Sequence, residues 1–461
     1  MVHAGIFLTI ATGFVFVNCI STRFSLTEKI GLSFLLGMAI EAFLMLFIDQ
    51  AGIPFGAASL LGFETLMLAG LCIYAGLYRK DAVERLRKSF SLSSLRGLNM
   101  VWLAFVIALV YVEYMNLSKC MYFPVTDRDS LSAFDTIGYV AAMEHTFKGI
   151  SLFDNTYMPN VRNSASYITY APLVQLSYAY VYALGVETSK IVNAMMYMFF
   201  LIAFYGATSR AAGKTGAAVA TLFMLLTPEM LSFSSLSMTN VIHAAFASLS
   251  VIYMALWFRG REKKDLLMCG ALLGANMLSR TEGIVFTGAV IALLFVDALR
   301  KKEYKSFLYA SLFAFVPLIC WTVYRKANGL DSDSIAITHP FWDAEKAGTI
   351  FAYIWKLYND TVYYGLSFIV FLIAFLANLW FLVKKGDSLH VLLAIALSSA
   401  FYMVILYQID YKWDSMENVL LYSAKRFMFC FIPMLWYFSL SNRAVRSVFL
   451  RLERSLLIDK A

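Results

Sequence analysis

The sequence predicts an all-α, polytopic membrane protein of about 13 transmembrane helices. Of its residues, 60% are hydrophobic and only 15% are charged, so the apolar side chains exceed what a globular core can bury. Long runs that are nearly free of charge approach the roughly 20 residues that one membrane-spanning helix requires. Among these runs are 100–114, 241–257, 308–323, 363–383 and 389–407. We therefore expect most of the apolar side chains to face lipid.

The net charge of +8 comes from short basic groups that lie between the apolar runs. This distribution indicates membrane topology rather than a nucleic-acid-binding surface. Basic residues concentrate in cytoplasmic loops, and this rule places the groups around 79–88, 259–264, 300–305 and 384–385 and the tail 441–461 in the cytoplasm. The acid-rich loops 116–169, 324–360 and 408–426 hold 13 of the 30 acidic residues, and they are then external.

The same pattern divides the chain into N-terminal transmembrane helices, 1–98, and a transmembrane core, 99–440. Three apolar stretches of the core, 170–184, 191–205 and 217–226, lie between the first external loop and Asn240. Asn240 must also be external, because the next apolar run ends at the cytoplasmic group 259–264. An odd number of membrane spans cannot connect two external positions. The first stretch opens with Ala171-Pro172 and contains Gln175. We therefore expect this stretch to dip into the outer interface instead of spanning.

The cysteine and histidine patterns support neither a disulfide framework nor a protein metal site. The six cysteines show no C-x-x-C spacing, and the five histidines are scattered. We therefore assign no metal ligands and no certain cofactor, and a divalent cation held by loop acids stays open. Glu41 and Glu64 lie inside N-terminal apolar runs, where an acid is costly and often functional, but the sequence suggests no role for them.

The first external loop contains the strongest candidate for a catalytic residue. Its second half has helical spacing, which places Asp135, Tyr139 and nearly Ala142 on one face. A partly buried carboxylate at the start of a short helix can act as a general base. The alternative is that Asp135 simply caps the helix N-terminus.

Four further motifs follow this loop in order. They are Tyr170-Ala171-Pro172-Leu173, Ser237-Met238-Thr239-Asn240, Gly270-x-x-x-Gly274 followed by Arg280 and Gly283, and Lys425-Arg426 ahead of Pro433. Together with Asp135 and Tyr139, they resemble the GT-C glycosyltransferases, particularly the branch of protein mannosyltransferases and lipid A aminoarabinose transferases. Thr136 and Asn240 depart from the family, which often has an acidic residue at each of these positions.

The resemblance implies a GT-C-like core that transfers one sugar from a polyprenyl-phosphate donor to a glycan, lipid or protein acceptor, with inversion at the anomeric carbon. Asp135 would be the catalytic base. Arg426, helped by Lys425 or Arg280, would bind the departing phosphate through charge-assisted hydrogen bonds. The alternatives for these cations are snorkelling to the headgroups or ion pairs with Glu282 and Glu417.

Further substrate-binding candidates are Asn240, Tyr139, Asp127, Asp129 and Trp342. Asn240 offers an amide to a phosphate or a sugar. Asp127 and Asp129 flank Arg128, and they either bind a sugar, hold a cation or form a solvated turn. Trp342 is suited either to stacking on a sugar ring or to anchoring its loop at the headgroups; the polar residues Asp331, Asp333, His339 and Asp343 lie near it in sequence.

Two other classes of function stay open at this stage. A transporter or flippase of a lipid-linked saccharide would also need many helices and a few charges, although such folds usually contain internal repeats. A non-catalytic GT-C scaffold that binds a lipid-linked glycan would fit Thr136 and Asn240. The short loops favour a bacterial or archaeal plasma membrane, with the active site on its external side. The expected partners are the lipid-linked donor, an acceptor and membrane lipids, and no nucleic acid.

Overall fold

The computed structural model describes residues 1–81, 84–85, 99–153, 170–330, 335–338, 342–411 and 415–455. The candidate residues Asp331, Asp333 and His339 therefore lie outside the described side chains. The described elements are α1 (Val2–Ile20), α2 (Leu26–Gln50), α3 (Ala57–Tyr78), α4 (Met100–Tyr122), α5 (Asp135–Met143), α6 (Leu173–Ala183), α7 (Lys190–Leu225), α8 (Pro228–Ser234), α9 (Asn240–Gly260), α10 (Lys263–Ser279), α11 (Gly283–Lys301), α12 (Tyr304–Ala327), β1 (Ile335–Thr338), α13 (Ala344–Tyr358), α14 (Thr361–Tyr364), α15 (Ser367–Lys385), α16 (Leu389–Gln408), β2 (Ile409–Tyr411), α17 (Met416–Ser441) and α18 (Arg443–Ser455).

The fold is helical, as the sequence predicts. Within the described ranges, 11 helices are long and apolar enough to cross a membrane. The protein is therefore a multi-pass membrane protein, whereas the number of about 13 spans stays a prediction. The exception to the helical structure is a short antiparallel ladder of β1 with β2, in which Thr338 pairs with Ile409.

Helix α7 contains a sharp kink at Gly213, whose φ of 82° and ψ of 171° are accessible mainly to glycine. Helix α4 runs beside both halves of α7 and shows where each half goes. At the start of α4, Asn99 donates a 3.0 Å hydrogen bond to Thr215, and Trp102 donates a 2.9 Å bond to Tyr205. Near the end of α4, Asn116 donates to Ser234, which follows α7. The chain therefore turns at Gly213 and runs back.

The stretch 170–184 forms the short helix α6, in agreement with the expectation that it does not span. Its 11 residues would extend only roughly 16 Å, about half the thickness of a hydrocarbon core. All but its last residue are buried. Helix α6 therefore lies inside the protein, beside the first loop.

One end of the helix bundle, which we call the basic face, carries the described members of the basic groups that the sequence assigns to the cytoplasm. There the Arg210 guanidinium pairs with both carboxylate oxygens of Asp265, at 2.6 and 2.7 Å, and with Glu28 at 3.2 Å. Helix α18 also ends there, because Glu453 accepts a 2.6 Å hydrogen bond from the Thr215 amide.

The opposite end of the bundle, which we call the site face, carries Asp135 and the loops. Asp49, at the end of α2, fixes the chain that follows α5. It accepts hydrogen bonds from the Thr146 hydroxyl at 2.6 Å, from the amides of Phe147 and Lys148 and from the Tyr324 hydroxyl. The N-terminal helices and α12 thereby hold the first loop in place.

Candidate functional site

Asp135 lies inside a continuous helical run rather than at its start. A wide π-helical turn, Ser130–Phe134, leads directly into α5, and no side chain caps α5. The capping interaction belongs to Asp127, whose Oδ2 accepts a 2.9 Å hydrogen bond from the Ser130 amide. The alternative in which Asp135 is the N-cap is therefore wrong, and its carboxylate is available for other contacts.

Tyr182 of α6 orients the Asp135 carboxylate. The Tyr182 hydroxyl donates a 2.7 Å hydrogen bond to Oδ1 of Asp135 and accepts a 3.2 Å bond from the Ser189 amide. Burial, together with this bond to Asp135, raises the pKa of Tyr182 to about 12. Tyr182 therefore stays protonated at neutral pH, and its single proton is directed at the carboxylate.

Tyr139 stands beside this pair, one helical turn after Asp135. Its ring meets the Tyr182 ring edge to face, with centroids 5.3 Å apart, and 49% of its surface is exposed. The predicted Asp135–Tyr139 face thus exists and is open to solvent at Tyr139. The third member, Ala142, is buried.

A close crossing of two helices explains how Asp135 reaches Tyr182. A Cβ on Gly138 would lie 2.5 Å from Cβ of Tyr178 and 3.0 Å from the Gln175 carbonyl oxygen. Only glycine permits this approach of α5 to α6. Gly138 therefore sets the distance between the carboxylate and its hydrogen-bond donor.

Arg426 lies against the same loop. Its Nη1 donates a 2.6 Å hydrogen bond to Oδ2 of Asp129, and its Nε donates to the Tyr422 carbonyl. Asp129 is therefore an ion-pair partner and not part of a solvated turn. Asp129 and Asp135 are six residues apart on one helical run, so the Arg426 contact and the Asp135 carboxylate belong to the same short segment of the first loop.

Lys425 contacts an acid that the sequence reasoning missed, Glu229 of α8. Their Nζ and Oε1 atoms are 3.3 Å apart, and Nζ lies 4.6 Å from the centroid of the Tyr363 ring. Within the described part of the chain, no hydrogen bond joins Lys425 or Arg426 to Glu417, the partner considered from sequence. A signal for Glu229 was its place directly after Pro228, in the first turn of a helix at the site face.

Arg280 is held firmly by protein groups. It donates two hydrogen bonds to Glu282, at 2.7 and 3.1 Å, and one to the Thr239 hydroxyl at 2.7 Å. Burial acts to raise the pKa of Glu282, but the Arg280 guanidinium outweighs it and lowers the pKa to about 2. The guanidinium also lies 5.7 Å from the Tyr170 ring, which in turn contacts Phe134, the neighbour of Asp135.

Asn240 and Trp342 take no part in these hydrogen bonds, although Asn240 directly follows Thr239. Asn240 is 4% exposed, and its side-chain oxygen has no hydrogen-bond partner among the described residues. Trp342 is 78% exposed and stacks on Tyr407, with ring centroids 5.4 Å apart. Its neighbour Asp343 caps α13 by accepting hydrogen bonds from the amides of Glu345 and Lys346.

The structure therefore forms two groups on one helical run: Asp135 with Tyr182 and Tyr139, and Asp129 with Arg426. Arg280 lies beside Tyr170, which packs on Phe134 of the same run. Sequence reasoning missed Tyr182, although its position in Tyr178-x-Tyr180-x-Tyr182 is an unusual concentration of hydroxyl groups. In the described residues, no three His, Cys, Asp or Glu side chains form a group that could hold a metal ion.

Comparison with known families gives a match to the middle of the chain. Residues 171–324 match the sequence model of the dolichyl-phosphate-mannose-protein mannosyltransferase family. This match supports a GT-C glycosyltransferase. The matched range contains Tyr182, Glu229 and Arg280, whereas Asp135 and Arg426 lie outside it. Searches of curated proteins and of solved structures gave no match.

Proposed function

We propose that this GT-C protein transfers one sugar from a polyprenyl-phosphate donor to an acceptor hydroxyl, with inversion, at the external face of the membrane. The observation that carries the proposal is that one helical run holds two groups. One is Asp135, whose carboxylate is oriented by Tyr182, and the other is Asp129, which contacts Arg426. A general base and a cation for the departing phosphate are the two groups that this reaction requires. The acceptor class, whether glycan, lipid or protein, is set by the surrounding loops.

The proposed reaction is a single displacement. The acceptor oxygen forms a bond to the anomeric carbon while its proton passes to the Asp135 carboxylate. The bond between the anomeric carbon and the phosphate oxygen breaks, and its electron pair leaves with the phosphate. Because one nucleophile enters opposite one leaving group, the anomeric configuration inverts.

Tyr182 contributes by holding Asp135 in one rotamer. Its hydroxyl donates to Oδ1, which leaves Oδ2 to accept the proton of the acceptor hydroxyl. Tyr139, which packs on Tyr182, presents an exposed surface one helical turn from Asp135 and is suited to contact the acceptor or the sugar. The base is thus positioned before the substrate binds.

Arg426 and Lys425 are the proposed ligands of the phosphate, because both retain unused donors. Within the described residues, Nη2 of Arg426 has no hydrogen-bond partner, and Lys425 makes one contact of 3.3 Å with Glu229. Arg280 differs, because Glu282 pairs with it through two hydrogen bonds and neutralises its charge, while Thr239 takes a third donor. We therefore assign Arg280 to the wall of the site and not to the phosphate.

The remaining candidates have supporting roles in the proposal. Asp127 caps the helical run that carries Asp129 and Asp135. Asn240 offers a sugar hydroxyl its buried side-chain oxygen, which has no hydrogen-bond partner among the described residues. Trp342 provides an exposed aromatic surface for a sugar ring of the acceptor.

The test uses the full-length protein in lipid nanodiscs with a radiolabelled polyprenyl-phosphate mannose and a panel of glycan, lipid and peptide acceptors. We expect label transfer by the wild type, a loss of about a hundredfold or more in D135N, and a raised donor KM in R426A. E187Q, which removes an exposed carboxylate between α6 and α7, is the matched control for D135N. Transfer by D135N at the wild-type rate would remove Asp135 as the base.

The same material separates the two alternative functions. A flippase would move the labelled lipid between leaflets of a proteoliposome without forming a glycosylated product. A non-catalytic scaffold would bind the lipid and do neither. Either result would contradict the proposed transferase.

A further inference from the structure

Glu64, an acid within α3, contacts the helix that orients Asp135. Its side chain is 1% exposed, and its Oε2 accepts a 2.6 Å hydrogen bond from the Tyr180 hydroxyl. An acid buried inside an apolar helix is costly, and such residues are usually functional. The reaction proposed above does not use Glu64, so this contact needs its own explanation.

Helix α6 carries three tyrosines at alternate positions, and each donates to a different element. Tyr178 donates to Asn193 of α7 at 2.5 Å, Tyr180 to Glu64 at 2.6 Å and Tyr182 to Asp135 at 2.7 Å. Successive helical residues are rotated by about 100°, so Tyr178 and Tyr182 share one side of α6 and Tyr180 points to the opposite side. The three bonds therefore fix the rotation of α6 about its own axis.

The N-terminal helix α1 packs closely against the Tyr180–Glu64 hydrogen bond. A Cβ on Gly5 of α1 would lie 2.3 Å from a Leu184 methyl carbon and 2.9 Å from the Tyr180 hydroxyl oxygen. The Thr9 hydroxyl, one turn further along α1, lies 3.4 Å from the same oxygen. Helices α1 and α3 thus enclose the Tyr180–Glu64 bond and keep it from water.

We propose that Glu64 is a positioning residue for the catalytic base, acting through Tyr180 and α6 on the Tyr182–Asp135 bond. Tyr182 is only two residues from Tyr180 on the same helix, so a rotation or shift at Tyr180 displaces the hydroxyl that holds Asp135. The assignment rests on the proposed function in taking Asp135 as the base. It gives the N-terminal helices, which lie outside the matched range 171–324, a part in the reaction.

Four variants test the proposal. E64L removes the acceptor, Y180F removes the donor, and E64Q keeps an acceptor oxygen at the same position. Y205F is the matched control, because it removes another tyrosine hydroxyl, a half-buried one that accepts a hydrogen bond from Trp102 far from Asp135. If E64L does not fold, Y180F still tests the proposal, because it breaks the same hydrogen bond from the other side.

The first measurement is amide hydrogen exchange of the nanodisc-embedded protein, which needs no substrate. We expect E64L and Y180F to exchange faster than wild type in 130–143 and 173–186, with the rest of the chain unchanged. E64Q and Y205F should show wild-type protection in these segments. Unchanged protection in both E64L and Y180F would overturn the anchoring role.

The second measurement is sugar-transfer kinetics. We expect kcat to fall by about tenfold in E64L and Y180F, while donor KM stays within about twofold, because the phosphate ligands are untouched. E64Q should remain within about twofold of wild type. The double variant E64L/Y182F should be no slower than Y182F alone, since both changes remove the same contact.

The outcomes distinguish this inference from the proposed function. Absence of sugar transfer by the wild type refutes the proposed function, whereas full activity in D135N removes Asp135 as the base and, with it, the positioning of a base. If D135N is inactive but E64L retains wild-type kcat, only the role of Glu64 is refuted. Multiplicative losses in E64L/Y182F, or an equal loss in Y205F, would also overturn it, because the effect would then not pass through Tyr182.

Discussion

The Arg426 guanidinium donates a 2.6 Å hydrogen bond to the Asp129 carboxylate across 297 positions of sequence. This pair joins α17 to the helical run that carries Asp135. The side chains of Arg426 and Asp129 are 18% and 27% exposed, so both partners are largely removed from water. A donor phosphate that binds Arg426 must therefore compete with a carboxylate already in contact with it.

This competition predicts the effect of removing the acid. D129N keeps a hydrogen-bond acceptor near Arg426 but removes the opposing charge, so the donor phosphate meets less competition. We expect donor KM to fall by about two- to tenfold, measured as initial rates against donor concentration. R426K should raise KM, because a lysine cannot form two parallel hydrogen bonds to a phosphate. A rise of KM in D129N would mean instead that Asp129 holds Arg426 in its binding position.

The Tyr182–Asp135 bond predicts a loss confined to turnover. Phenylalanine at position 182 keeps the ring contact with Tyr139 but cannot donate to the carboxylate. We expect Y182F to lower kcat by about tenfold with little change in donor KM. Y205F should turn over at the wild-type rate, and equal losses in the two variants would contradict a role for Tyr182 in holding the base.

The Arg280–Glu282 pair predicts how stability depends on pH. The pKa of Glu282 is depressed to about 2, so its stabilising effect is complete above the ordinary glutamate pKa of 4.5 and disappears as the pH falls through 2. At neutral pH the effect is on the order of 3 kcal/mol. We expect E282Q to unfold at lower temperature than wild type at pH 7, and the difference to shrink as the pH is lowered from 4.5 towards 2.

Thermal unfolding followed by intrinsic fluorescence in detergent provides this measurement. E187Q serves as the control, because Glu187 is exposed and its removal should leave the unfolding temperature unchanged. A constant difference between wild type and E282Q over the acidic range would show that Glu282 does not stabilise through its charge.

The crossing of α5 and α6 predicts the consequence of a single added methyl group. A Cβ on Gly138 would come within 2.5 Å of Tyr178 Cβ, so G138A must push the two helices apart. We expect destabilisation of about 1–3 kcal/mol and a loss of transfer activity, since Asp135 moves away from Tyr182. The matched control is G348A in α13, where a Cβ would meet no atom within 4 Å. G138A with wild-type activity would show that the crossing does not set the geometry of Asp135.

Several features of this protein were predictable from sequence because they depend on residues close together in the chain. The apolar runs follow from hydropathy, and the shared face of Asp135 and Tyr139 follows from helical periodicity. The short helix at 173–183 agrees with the span count, which required one apolar stretch not to cross the membrane. The order of the motifs also indicated the family that the range 171–324 matches.

Tertiary structure alone decided the partners of the charged and hydroxyl groups. Asp135 looks like a helix cap in sequence, but a π-helical turn extends the helix upstream and leaves capping to Asp127. Arg280 and Arg426 are both candidate phosphate ligands in sequence, yet Glu282 accepts two hydrogen bonds from the first and Asp129 only one from the second. Periodicity fixes which face of a helix a side chain takes, but the group opposite that face comes from a distant segment, and only packing determines which one it is.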